Sequence, residues 1–346
     1  MKISLLILTI IAVIIVLFAI LVFSPNQSKP AAISSTSVTS STAISNRAYS
    51  AYIINSNSGN VSILNTAANR ITANITLGAH ISSMAIKPDS QYAYVGNNRS
   101  NIISVVNLST NKLILNITGF LGGISSLAIS PNGAYLYVVE PGADSLSVIN
   151  TSTNKLVKNI TGFQAPQYAA VNPNGEYVYV TNYNPSSASW AVSIINVSTY
   201  KVVTNITGLY GGADDIAISP NGEYAYVTTA SSGIVSVINI SSNSVVSTIP
   251  VGVEPEGVAI TPNGQYVYVA VYGSGTVGII NTTSDRAIDD ITVAANPYAV
   301  AITPDGNYIY VTDYGYGTVS VINTSDNKVI ANITGFSGPE AIEIGP

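Results

Sequence analysis

The stretch Pro262-Asn263-Gly264-Gln265-Tyr266-Val267-Tyr268-Val269 decides the fold. Pro fixes φ at the corner of a turn, Asn tolerates the next position, and Gly takes φ > 0. The run Tyr-Val-Tyr-Val holds only strand formers and no Pro, as a central strand requires. Close copies begin at Pro88, Pro131, Pro173, Pro220 and Pro304, so that the steps along the chain are 43, 42, 47, 42 and 42 residues. A period near 42 marks a repeat architecture in which a tight turn feeds a buried strand.

Outward from that stretch, one repeat reads as four short strands. Residues 256–260 form strand a, and 266–271 form strand b. Residues 277–280 form strand c, which ends at Asn281, and 287–293 form strand d. Turn residues at roughly ten-residue spacing make this an antiparallel meander. Its two middle strands lack a polar face, and radial packing of propeller blades buries both faces in this way. Strand a recurs seven times, near Ile81, Ile124, Pro166, Ala213, Pro255, Pro297 and Pro339. Strand c also recurs seven times, ending at Asn65, Asn107, Asn150, Asn196, Asn239, Asn281 and Asn323. The domain begins with a strand b, Ser50-Ala51-Tyr52-Ile53-Ile54-Asn55, and ends with a strand a, Pro339-Glu340-Ala341-Ile342-Glu343-Ile344. Each end has what the other lacks. The expected fold is all-β: a seven-bladed β-propeller of four-stranded antiparallel blades, with the C-terminal strand closing the ring in the N-terminal blade.

Tyr179-Val180-Thr181-Asn182, with Pro173-Asn174-Gly175 before it and Val192-Ser193-Ile194-Ile195-Asn196 after it, resembles the YVTN family of seven-bladed β-propellers. Archaeal surface-layer-type proteins carry such repeats, and the resemblance runs from about residue 48 to the end. It implies a platform for recognition. Other blades depart from the motif, ending strand b in Gly96-Asn97, Val139-Glu140, Thr228-Thr229, Ala270-Val271 and Thr312-Asp313. Pro88-Asp89-Ser90 lacks the turn Gly, and Asn184-Pro185-Ser186-Ser187-Ala188 lengthens one loop between strands b and c.

Residues 3–23 carry no charge over 21 positions. As a helix they span about 31 Å, matching a hydrocarbon core of about 30 Å. No small-x-small cleavage site follows, so residues 1–23 read as a transmembrane signal anchor with the N-terminus inside. Residues 24–47, rich in Ser, Thr, Ala and Pro, read as a stalk. Residues 48–346 are the propeller, expected on the outside of a cell membrane and facing a protein or glycan partner.

Charged residues are 8% of the chain, its net charge is −5, and it has no Cys. The missing basic clusters argue against nucleic acid. The missing thiols remove disulfides, thiolate metal sites and Cys nucleophiles. The single His80 falls in a loop and has no partners for a metal centre or an acid–base pair. Some related propellers resemble lactonases and lyases that use His, Arg and Glu together. A non-enzymatic surface binding or envelope module is therefore expected, with a lactonase-type enzyme as the alternative and no obligate cofactor.

Glycosylation sequons are frequent. One series closes strand c at Asn107, Asn150, Asn196, Asn239, Asn281 and Asn323. Another sits late in strand d at Asn74, Asn116, Asn159, Asn205 and Asn332. Asn26, Asn60 and Asn98 stand outside both series. Duplication copies any turn motif, yet strand d is an outer edge that glycans would guard.

Loops between d and a share one face, here the top, with loops between b and c. Aligned repeats place Ser82, Ser125, Gln167, Asp214, Glu256, Tyr298 and Glu340 at one position at the start of strand a. Asp215, Glu254 and Tyr168 are adjacent to members of this set. An acidic mouth is expected on the top face, drawing a basic partner or oxygen-ligated Ca2+ or Mg2+.

Overall fold

The computed structural model describes residues 48–184 and 189–345. These residues form seven four-stranded antiparallel sheets arranged as a seven-bladed propeller. Blade 1 joins the C-terminal Pro339–Gly345 to Ser50–Asn55, Asn60–Asn65 and Arg70–Thr76, so the ends of the ring share one sheet. Strand a of every blade touches strand a of both neighbours all the way round. The expected anchor and stalk lie outside the described residues. Among the described residues no helix is long and apolar enough to cross a membrane.

The core is not one mass but a set of clusters, each lying between two blades. Ala51, Ile53 and Leu64 of blade 1 pack on Tyr310, Val319 and Val321 of blade 7, sealing the ring. Strands b and c are buried nearly end to end, as in Tyr266–Val271 and Thr276–Asn281. Strand d, as in Lys328–Thr334, alternates between exposed and half-buried and faces solvent as the outer edge. Strand c ends at the seven Asn expected from the sequence.

Blades also latch polar to polar. The second Tyr of strand b is almost fully buried in six blades, at Tyr94, Tyr137, Tyr179, Tyr226, Tyr268 and Tyr310. Tyr94 Oη donates to Asn154 Oδ1 of the next blade (3.1 Å), Tyr268 to Asn327 (3.1 Å) and Tyr310 to Asn69 across the closure (2.8 Å). Each acceptor sits at φ > 0 in a turn between c and d, which Asn tolerates. In blade 4 that turn holds Tyr200, also at φ > 0, and Tyr137 Oη is left without a partner.

Strand a begins later than expected in three blades: Ser126–Ile129, Ala169–Val171 and Asp215–Ile218. The residues before each of these strands bond strand b only irregularly, through Ser125, Gln167 and Asp214 N–H. The turn at Ser90 keeps the shape of its Gly counterparts, with φ 53° against 68° at Gly133 and 72° at Gly264. The blade-4 insertion extends the hairpin into Tyr177–Asn184 and Ser189–Asn196, with Tyr183 edge-on to Trp190 at 5.9 Å.

Candidate functional site at the channel mouth

Top loops are tied together by backbone bonds between each b–c loop and the d–a loop beside it: Asn98 N–H to His80 O, Tyr272 to Glu254 and Tyr314 to Asn296. This bracing fixes the start of each strand a around the axis, where a cavity of about 430 Å³ opens. Ser82, Ser125, Gln167, Glu256, Tyr298 and Glu340 line it, as aligned from the sequence. Blade 5 departs from that alignment. Asp215 lines the cavity, whereas Asp214 turns away to accept the N–H of Ala230 at 2.7 Å. The position of Asp215 lines the cavity in the other blades as well, as at Ser126, Tyr168 and Gly257. Glu254 sits exposed in its d–a loop at φ 53° and does not line the cavity, whereas Tyr168 does.

The wall has two unlike halves. In blades 2 and 3 the hydroxyls are spent between blades, Ser82 donating to Ile124 O (2.7 Å) and Ser125 to Gln167 O (2.6 Å). Blades 5, 6, 7 and 1 present Asp215, Glu256, Tyr298 and Glu340. Asp215 is clamped by the N–H groups of Val258 (3.0 Å) and Ile216 (2.8 Å). Burial still pushes its carboxyl up to about 6, because two amides do not replace the lost water. Glu256 is pushed up to about 7, first by burial and then by Asp214, Asp215 and Glu254. Burial raises Glu340 as well, against a hydrogen bond from Ser56.

Sequence reasoning missed two parts of this site. Glu343 lines the lumen three residues beyond Glu340, past the irregularity that strand carries at Glu340. Opposite the strand-b Tyr, the other six blades carry Ala85, Ala128, Ala170, Ala217, Ala259 and Ala301, and blade 1 carries Glu343 against Tyr52. That single break in a ring of alanines was readable from the aligned repeats. Glu343 has exposed surface yet is encircled by protein, so its only water is that of the lumen. Burial, then Asp215 across the channel, raises its carboxyl to about 7. The second part is aromatic. Tyr298 meets Tyr272 edge-on and Tyr314 at a tilt, both at 6.3 Å, and shares a hydrogen bond with Tyr168. Tyr272 and Tyr314 come from b–c loops, which strand alignment does not place.

Among the described residues no three acidic or His side chains converge closely enough to hold a metal ion, so the expected Ca2+ or Mg2+ chelate is not assembled there. His80 lies exposed beside Arg99, with Nε2 at 3.1 Å from Nη1.

No protein-family model matches the chain, and no curated protein matches it in sequence. Solved structures do. Kuenenia stuttgartiensis hydrazine synthase superposes with a TM-score of 0.73 at 22% identity, covering 79% of this chain and 92% of that one. A functionally unknown protein from Desulfotomaculum acetoxidans superposes with a TM-score of 0.74 at 16% identity, covering 86% of this chain and 98% of that one. The likeness is one of fold alone. It supports the propeller and carries no activity across.

Proposed function

We propose that this chain is a non-enzymatic binding module of YVTN-repeat, archaeal surface-layer type. In this reading residues 3–23 hold it to a cell membrane, and the propeller stands outside on its stalk. Its channel mouth takes an ammonium or guanidinium group presented by a protein partner. The observation that carries the reading is the one-sided wall, where Asp215, Glu256 and Glu340 stand beside the contacting rings of Tyr272, Tyr298 and Tyr314. A cation gains attraction from the carboxylates and from the ring faces, each ring contributing about 0.5–1 kcal/mol at a hydrated site. A bound cation also favours the ionised form of Glu256, whose proton is otherwise held to about pH 7.

Titration calorimetry with an oligolysine peptide, against an uncharged oligoserine control, tests this. Oligolysine should bind at pH 8 and more weakly at pH 6, and binding should fall at least tenfold in Glu256→Gln/Glu340→Gln. No oligolysine binding at pH 8, or equal binding by that variant, refutes the site. Membrane attachment is tested separately. Native protein whose N-terminal sequence starts near residue 25 would refute the anchor.

A further inference from the structure

The two sequon series prove physically different. In strand d, Asn74, Asn116, Asn159, Asn205 and Asn332 are exposed, and each lies opposite a Ser of strand c. In blades 1, 2 and 4 that Ser donates to the Asn Oδ1, Ser62 to Asn74 (2.7 Å), Ser104 to Asn116 (2.9 Å) and Ser193 to Asn205 (2.6 Å), whereas Ser147 and Ser320 make their shorter bonds to Glu140 (2.5 Å) and Asp313 (2.7 Å). Where blade 5 has Thr248 instead, the facing Ser236 hydroxyl is buried with no partner. In all five blades the Asn amide nitrogen bonds nothing among the described residues. The Ile that follows is core, at Ile75, Ile117, Ile160, Ile206 and Ile333.

The next residue is always an exposed Thr: Thr76, Thr118, Thr161, Thr207 and Thr334. Among the described residues no hydrogen bond uses these hydroxyls. Just beyond, Gly78, Gly119, Gly162 and Gly208 sit at φ 92–103° with open space where a side chain would stand, so the rim is open around four of the five motifs; at the fifth, Gly335 faces Ile71. The strand-c series is spent on its own turns. Asn150 Oδ1 accepts Ser152 N–H (3.0 Å), Ser152 Oγ (2.6 Å) and Thr153 N–H (3.1 Å). Asn107, Asn196, Asn239 and Asn323 repeat this, with the motif hydroxyl turned back on its own Asn and the Asn half-buried. Asn281 is the exception: its Oδ1 accepts the N–H groups of Thr283 and Ser284 (3.0 Å each), but the exposed Thr283 hydroxyl bonds nothing among the described residues.

We infer that the strand-d asparagines are N-glycosylation acceptors and that Asn107, Asn150, Asn196, Asn239 and Asn323 of strand c are not. A transferase must reach both the amide nitrogen and the hydroxyl two residues on; the strand-d motifs leave both free, whereas these five spend the hydroxyl on their own turn. The donor is a lipid phosphate- or pyrophosphate-linked oligosaccharide. An Nδ2–C1 bond forms as the C1–O bond to phosphate breaks; Nδ2 loses a proton, and the lipid phosphate leaves with the electron pair. Five glycans then stand along the outer edges of blades 1–4 and 7, where they shield the unpaired strands from edge-to-edge association.

The inference rests on the export proposed above, so the test separates the two. The full chain, carrying an Asn-Ala-Thr acceptor tag at its C-terminus, is produced in a glycosylating secretory host and mapped by peptide mass spectrometry. Sugar is expected on the tag and on the five strand-d Asn, with none on Asn107, Asn150, Asn196, Asn239 and Asn323. Changing the five Thr to Val should remove that sugar while the protein melts with its parent. A bare tag overturns export and this inference with it. A modified tag with bare strand-d Asn, or with equal occupancy of both series, overturns this inference alone.

Discussion

Replacing Tyr137 with Phe is expected to leave the protein as stable as before or slightly more so, whereas Tyr310→Phe is expected to cost about 1 kcal/mol. Both hydroxyls lie in the seam between blades, but only Tyr310 has an Asn to donate to. A typical made hydrogen bond contributes about 1 kcal/mol, and a buried unmade one costs about 1–3 kcal/mol. The two variants should therefore differ by about 2 kcal/mol, or about 4 °C in Tm for a domain of this size. The cause is Tyr200, held at φ 56° where the other blades have Asn or Asp. Tyr200→Asn relieves about 1 kcal/mol of left-handed strain and supplies the acceptor, but it loses about 1 kcal/mol of ring packing near Tyr135. The single change is close to neutral, so the decisive quantity is the coupling. In the Tyr200→Asn background, Tyr137→Phe should become costly, with an interaction energy of about 1–2 kcal/mol. Calorimetric melting of the four proteins in the cycle measures it. Zero coupling, or a Tyr137→Phe as damaging as Tyr310→Phe, would refute the latch.

Ser90→Gly should stabilise by about 1 kcal/mol, since Ser90 is at φ 53° with a buried, unpartnered hydroxyl; a drop in Tm would mean the turn needs its Ser. Deleting residues 339–346 should cost more than about 5 kcal/mol by baring strand b of blade 1 and removing buried Ile342; melting within a few degrees of the parent would rule out the clasp. Asp215, Glu256 and Glu343 titrate higher folded than unfolded. The native state therefore holds more protons between about pH 4 and 7, and stability should fall as pH rises through that window. Lumen water reduces the amplitude at Glu343. Glu343→Ala, which restores the residue of the other blades, should flatten the fall, and an unchanged stability–pH profile would show that its carboxyl is fully hydrated.

The repeat period, the Pro-Asn-Gly turns, the strand-c ends and the incomplete terminal blades were legible in the chain, because each depends on consecutive residues and their φ preferences. Glu256, Tyr298 and Glu340 were legible too, since their blades share one register. Asp214 misled, because its carboxylate accepts the N–H of Ala230 and leaves the lumen to Asp215. No local pattern records that bond; it depends on where the loop after strand b brings Ala230. Tyr272 and Tyr314 reach Tyr298 from b–c loops, whose course is set by hydrogen bonds to neighbouring loops. The two sequon series look alike in sequence and separate only in space, because a turn consumes the amide oxygen of one and, at all but Asn281, its hydroxyl, while the other keeps its amide nitrogen and hydroxyl unused. The sequence determined the ring, since strand and turn preferences act over a few bonds. The tertiary structure decided which polar groups are left free, since a hydrogen bond is made or lost according to what another strand brings within about 3 Å.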